Sequence, residues 1–476
     1  MTAFHLSRRV ATALLLATLI GCASLAPPPP DTSQPLPEAW PETGVDSAQA
    51  PLERWWTLFG DPVLGRLVED ALAANHDVAV AIARVDEARA LAGIARSDQW
   101  PSVEAGAGAG RGRVSERSAT PLPPGSPTIG DTRSATVQAA YEVDLWGRYR
   151  DASQAARARL EASRYARAVV ELAVASEVVR GYFELRALDA QIELTRQTLQ
   201  TRTEAVKLRE QRLAGGTGSE LDLRQDQANA AAAQATMAEL LDRADRTEAA
   251  LTVLAGRSPR DLFQAGIDRG AALANLAVPP VVPAGLPAGL LERRPDLREA
   301  HARLAAATSE VGVARASYLP SLSLTGAFGG ESASLSDVLT APARVWQLAA
   351  ALAAPVFTAG RADATVALAG AREREAAARY QQTALVAFRE VRDALSRRQS
   401  AAARARAQQD RIDALARARE LARLRYDSGY SGYLDVLDAD RNLFQSQLDR
   451  VEARRDTLLA SVELIRSLGG GWAPAE

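Results

Sequence analysis

Two hydrophobic periods take turns along this chain. Over residues 135–146, Val137, Ala139, Tyr141, Val143 and Leu145 alternate with Gln138, Ala140, Glu142 and Asp144, the period of a strand with unlike faces. Residues 321–328 do the same with Leu322, Leu324 and Phe328 against Ser321, Ser323 and Thr325. Residues 346–356 alternate Trp346, Leu348, Ala350, Leu352, Ala354 and Val356 with smaller or polar neighbours. A weaker version at 102–113 carries Val103, Ala105, Ala107 and Ala109 among glycines. These lengths fit the roughly 9–11 residues that a tilted transmembrane strand needs.

Between the strands the pattern becomes helical. From Arg148 to Leu213 there is no proline and Gly181 is the only glycine; from Arg361 to Asp427 the only glycine is Gly370, again without proline. At about 1.5 Å per residue each run reaches on the order of 100 Å. One run ends in a turn with Gly215, Gly216, Thr217 and Gly218, the other in a turn with Gly429, Tyr430, Ser431 and Gly432. Glycine there supplies the left-handed geometry that closes a helix. Returning helices over 221–255 and 434–467 complete two helical hairpins, 148–255 and 361–467, with tips at 214–219 and 428–432.

The chain is written twice. Gly93-Ile94-Ala95-Arg96 and Pro101-Ser102 return as Gly312-Val313-Ala314-Arg315 and Pro320-Ser321, an offset of 219 residues. Gly147-Arg148, Gly216, Leu221-Asp222 and Asn229 return as Gly360-Arg361, Gly429, Leu434-Asp435 and Asn442 at an offset of 213. Repeat A covers 55–270 and repeat B 285–468. The six residues of difference fall between Pro101 and Gly147, in a stretch that reads as an insertion-tolerant loop.

Alanine crowds the helices, as in Ala228–Ala235 and Ala401–Ala407. It permits close approach but buries little apolar area, so one hairpin is weak alone and side-by-side packing into a wall is the remedy. No sustained heptad of large apolar residues supports a free two-stranded coiled coil. Soluble β-hairpins packed on helices are the alternative for the strands, but no sequence remains to cover their faces. Four strands leave two open edges, which hydrocarbon does not tolerate. Closure therefore takes several copies: an α+β membrane protein in which a symmetric oligomer shares one barrel, continued by helices.

Composition narrows the chemistry. Aromatics make up 5%, Lys207 is the only lysine among many arginines, and the formal net charge is -2, with both signs interspersed on the helices. Nucleic-acid binding has no support. The three histidines, His5, His76 and His301, are scattered, and neither a metal spacing nor a phosphate-cradling loop is present. No catalytic residue, metal ligand or cofactor is predicted, and the chain does not read as an enzyme. Residues 1–21 read as a signal peptide: Arg8 and Arg9 precede an apolar run of 11 residues, Val10 to Ile20, too short to span a bilayer as a helix. The run ends in Leu19-Ile20-Gly21-Cys22, which resembles a bacterial lipobox. In such lipoproteins the cysteine becomes the first residue and carries acyl chains, and Ala23 after it resembles those released to the outer membrane. The proline-rich residues up to 54 then form a lipidated, extended tether, and 469–476 a C-terminal tail.

Trp55-Trp56-Thr57-Leu58-Phe59 with Asp61-Pro62, Leu290-Leu291-Glu292-Arg293-Arg294-Pro295-Asp296, and Tyr141-Glu142-Val143-Asp144-Leu145-Trp146-Gly147 resemble three motifs of the TolC-type outer membrane factors. The lipoprotein branch that serves RND-type efflux pumps (NodT-like outer membrane efflux lipoproteins) is the nearest in kind, and the likeness runs from about Trp55 to Leu468. It implies a homotrimer with a 12-stranded β-barrel, four strands per protomer, and a periplasmic α-helical barrel of 12 helices. It also implies a periplasmic adaptor and an inner-membrane RND-type pump as partners, with passive export of drugs or other small molecules across the outer membrane.

Within Tyr433–Arg441 the resemblance carries a periplasmic gate onto Leu434, Asp438 and Arg441. Positions i, i+4 and i+7 share a helix face, so all three can line one lumen. Repeat A has Gln225 where repeat B has Asp438, so an acidic ring comes from repeat B alone. The tip residues Gly215–Gly218 and Gly429–Gly432 are the candidate adaptor contacts. A different class of function, a lipid-anchored periplasmic helical scaffold without a channel, is the alternative.

Overall fold

The computed structural model describes residues 24–40, 45–46, 53–117, 123, 125–264, 266–279, 282–283 and 287–470. The predicted signal peptide, Cys22 and residues 471–476 of the tail lie outside them. The principal elements are α1 (Pro62–Ala74), α2 (His76–Ser97), β1 (Ser102–Arg113), β2 (Ile129–Val143), α3 (Arg148–Ala214), α4 (Glu220–Leu254), α5 (Pro295–Arg315), β3 (Ser321–Ser332), β4 (Arg344–Ala353), α6 (Arg361–Asp427) and α7 (Tyr433–Ser467). The duplication is visible in the lengths: α3 and α6 each have 67 residues, α4 and α7 each 35. Two compact units divide the chain, one built from Met1–Thr32, Asp86–Ala162 and Ala300–Tyr380, the other from Ser33–Val85, Ser163–Glu299 and Gln381–Glu476.

The first unit holds an antiparallel sheet in the order β1-β2-β3-β4. Val137 lies opposite Ala105 and Phe328, and Phe328 opposite Trp346, so these side chains share a face with Val103, Leu324, Leu348 and Leu352. The other face carries Glu104, Gln138, Thr325 and Gln347, which line a shallow groove. Among the described residues the apolar face is uncovered: Trp346 is 73% and Leu348 82% exposed. β1 and β4 are the two edges.

Strand ends depart from the alternation in the sequence for identifiable reasons. β2 starts at Ile129 rather than 135, because Gly130, Asp131 and Thr132 pair through backbone with Gly112, Arg111 and Gly110 and need no apolar side chains. It stops at Val143 rather than 146: the Asp144 carboxylate accepts the Arg150 and Tyr149 N–H groups at 2.9 and 3.3 Å, capping α3 and pulling the chain out of the sheet. β3 runs on to Ser332 and β4 covers 344–353, ending before Pro355, whose nitrogen has no hydrogen to donate.

The second unit has an aromatic core. Trp55 and Phe59 pack edge-on, and Phe59 meets Phe183 of α3 at 4.9 Å between centroids. Asp61 begins α1 by accepting the Val63 and Leu64 N–H groups, with Pro62 at the first helical position, where a missing N–H costs nothing. Its other oxygen accepts the Tyr182 hydroxyl at 2.6 Å and the Ala271 N–H at 3.0 Å. Gly181 lets α3 and α4 close up: a Cβ there would stand 2.8 Å from Leu251 Cδ2.

One joint in this unit is made twice with different chemistry. The returning helices end in left-handed glycines at repeat-equivalent positions, Gly256 (φ 65°) and Gly469 (φ 99°). In repeat A the Asn75 amide donates to the Leu254 carbonyl at 2.9 Å while its oxygen caps α2. In repeat B the equivalent residue is Arg294, which donates to the Ser467 carbonyl at 3.0 Å. Arg294 is 7% exposed, grips Asp296 with two nitrogens at 3.0 and 2.6 Å, and meets Glu390 at 2.8 Å.

Arg294→Ala leaves a helix-end carbonyl and two acids without their donor, and is expected to cost about 2 kcal/mol or more. Arg294→Lys recovers little of it, because an ammonium cannot fork. Thermal unfolding in detergent checks both.

Candidate functional site

The hairpin tips are closed by backbone. Gly216 (φ 73°) donates its N–H to the Leu213 carbonyl at 3.0 Å and Thr217 to Arg212 at 2.9 Å; Gly429 (φ 78°) and Tyr430 do the same to Tyr426 and Arg425 at 2.9 and 2.8 Å. Carbonyls at the ends of α3 and α6 are thereby satisfied in the same way. Ser219 then caps α4 through the Asp222 N–H. Tyr430 stands 81% exposed at the tip of repeat B, whereas repeat A offers only glycines and Thr217.

Just inside the tips the two hairpins are bolted together. Asp226 of α4, 4% exposed, accepts the Tyr433 hydroxyl on one oxygen at 2.6 Å and Arg209 Nε on the other at 3.2 Å. The Arg209 guanidinium lies over the Tyr433 ring at 4.1 Å and donates to the Tyr426 hydroxyl at 3.3 Å. One helical turn further on, Asn229 receives Arg441 Nε on its side-chain oxygen at 2.6 Å and Arg202 on its backbone oxygen at 2.8 Å. Arg202 rests over Phe444 at 5.0 Å, and burial lowers its pKa. Burial first, and then the bond to Asp226, pushes the Tyr433 phenol up to about 12.

Of the residues singled out in the sequence, Leu434 and Asp438 are exposed on α7. Arg441 is drawn across to Asn229 and lies 3.8 Å from Asp438, so it screens that carboxylate while tying the hairpins. Asp226, Arg209, Tyr426 and Tyr433 escaped sequence reasoning. Their repeat equivalents are Ala439, Ala422, Leu213 and Glu220, so the cluster sits where the copies differ. The available signal was two tyrosines bracketing a glycine turn.

Residues 67–257 and 286–470 match the model of the outer membrane efflux protein family, one segment in each repeat. The chain belongs to that family. It is 34% identical to the solvent efflux pump outer membrane protein SrpC of Pseudomonas putida over 96% of this chain and 97% of that one. With the probable outer membrane lipoprotein SilC of Salmonella typhimurium it shares 30% identity over 95% and 96%. The solved outer membrane channel CmeC of Campylobacter jejuni superposes with a TM-score of 0.86 at 26% identity, over 95% of this chain and 96% of that one. The chain is thus an outer membrane efflux protein, of a family of transport conduits rather than enzymes.

Arg209→Ala strands a buried carboxylate and is expected to cost about 3 kcal/mol, read as a lower denaturation midpoint. The raised Tyr433 pKa favours the neutral phenol in the fold. Its contribution is complete below pH 10.0 and is lost as pH rises through about 12. Ultraviolet difference titration of the protein against Tyr433→Phe is expected to isolate one tyrosine ionising near that upper value.

Proposed function

We propose that this chain is the exit duct of a tripartite pump. Three copies join β1 of one to β4 of the next in a 12-stranded barrel, and their hairpins continue it as a periplasmic helical barrel. The sheet carries this reading. A backbone in hydrocarbon has to satisfy its own hydrogen bonds, and a four-stranded sheet with two bare edges can do so only by pairing with copies of itself. Its apolar face, with Phe328, Trp346 and Leu348, suits lipid, and its polar face, with Glu104, Gln138, Thr325 and Gln347, suits a water-filled lumen. Cys22 carries acyl chains, each buried methylene adding about 0.8 kcal/mol of membrane affinity. The tips, Gly215–Gly218 and Gly429–Gly432, dock on a periplasmic adaptor, which couples the duct to an inner-membrane RND-type transporter. That transporter supplies the energy, and the duct conducts drugs or other small molecules passively.

Leu434, Asp438 and Arg441 form the periplasmic gate. Three Asp438 carboxylates roughly 7 Å apart, at an effective dielectric near 20, repel by about 2 kcal/mol per pair. Arg441 at 3.8 Å offsets part of this, and the Asp226–Tyr433–Arg209 cluster holds each hairpin pair against the remainder. Opening requires that cluster to part.

Planar-bilayer recording tests the reading. Small, cation-selective currents are expected from the purified protein, with larger conductance after Asp226→Ala and both larger conductance and weaker cation preference after Asp438→Ala. Currents unchanged by either substitution would move the gate elsewhere. A protein silent at every voltage and pH would remove the duct and favour the scaffold.

A further inference from the structure

The segment after the lipobox cysteine reads in the sequence as an extended tether, and its first described residues are held in a fitted site. Ser24 Oγ donates to Asp151 Oδ1 at 2.6 Å and accepts the Ala26 N–H at 3.1 Å. The Leu25 N–H also bonds the Asp151 carboxylate, and Arg315 Nη1 donates to the Leu25 carbonyl at 3.1 Å. Asp151 is 1% exposed; burial raises its pKa, while the Ser24 and Leu25 donors pull it back. The floor is Gly312, where a Cβ would stand 2.7 Å from the Ala26 nitrogen and 2.1 Å from Asp151 Oδ2. Asp151 lies in the first turn of α3, just after β2, and Arg315 ends α5, just before β3, so the site is built at two strand–helix junctions.

The duplication supplies an internal comparison. Repeat A keeps the glycine and arginine as Gly93 and Arg96, but Ala364 stands at the position equivalent to Asp151, and nothing lies within 4 Å of the missing Cβ of Gly93. One chain has one N-terminal segment, and only one of the two equivalent places is fitted to take it.

We propose that Asp151, Gly312 and Arg315 form a docking site for the chain's own Ser24–Ala26, which fixes the acylated Cys22 beside the sheet instead of leaving it on a slack leash. This rests on the reading of Cys22 as the lipid-bearing residue. Two peptide units separate Cys22 from Ser24 and reach no more than about 7 Å. The acyl chains therefore enter the bilayer next to the strand ends, and the anchor sets the depth of the sheet.

Hydrogen exchange on the full-length lipidated protein in detergent tests the site. The Leu25 and Ala26 amides are expected to exchange at least about tenfold slower than in the free peptide. Gly312→Val should abolish that protection, and Gly93→Val should leave it intact. Unchanged protection over residues 321–332 certifies that each variant is folded. Wild-type Leu25 and Ala26 amides exchanging at the free-peptide rate, or protection that survives Gly312→Val in the folded protein, overturns the docking site. The mass of the N-terminal peptide reports acylation separately. An unmodified Cys22 on a protected segment overturns the anchor-placing role while the docking stands.

Discussion

An alanine-rich helix of 67 residues gains little from each contact it makes, so its ends decide whether it holds its register. A helix end leaves carbonyls without partners. At the ends of α3, α4, α6 and α7 a left-handed glycine bonds back three residues and its successor bonds back five, at Gly216, Gly256, Gly429 and Gly469. Asn75 and Arg294 then reach from the starts of α2 and α5 to a last-turn carbonyl of α4 and α7. The long arms are thereby fixed where they stop, and between the ends small side chains and a band of buried large ones, Tyr182, Phe183, Leu188 and Leu251 among them, keep them close. Gly181 against Leu251 is one such close approach.

The same reasoning separates two kinds of polar cluster. Arg294 with Asp296 and Glu390 sits in a joint that exists in both repeats and serves the fold. Asp226 with Tyr433 and Arg209 has no counterpart in the other copy and joins one hairpin to the other near their tips. In the proposed duct the first kind of contact has to survive every working cycle, whereas the second has to break and re-form. A net worth of a few kcal/mol per cluster suits that use, being strong enough to hold a closed state and weak enough for a docked partner to overcome.

Much of this was legible in the sequence. The duplication predicted paired arms of equal length, and the absence of proline set their extent to within a residue or two. The strands were legible where side chains alternate and illegible where backbone alone pairs, as at Gly130–Thr132 of β2. Helices α1, α2 and α5, of 13, 22 and 21 residues, are short beside the arms, and no glycine turn marks where they end. The Asp226 cluster is hidden for a different reason: a repeat reveals what its copies share, and this contact uses what they do not. The docking of Ser24–Ala26 joins residues more than a hundred positions apart in sequence through one hydroxyl, one carboxylate and the lack of a methyl group, and no local pattern announces it.

Because both tips are turned by main-chain hydrogen bonds, the side chains of the turns themselves, such as Thr217 and Tyr430, carry little obligation to the fold. Gln225 and Asp438, or Thr217 and Tyr430, could diverge after the gene doubled without either copy losing its hairpin. By the same logic the tips of the proposed duct are exchangeable cassettes: grafting a relative's turn between the paired glycines leaves how the hairpins fold untouched.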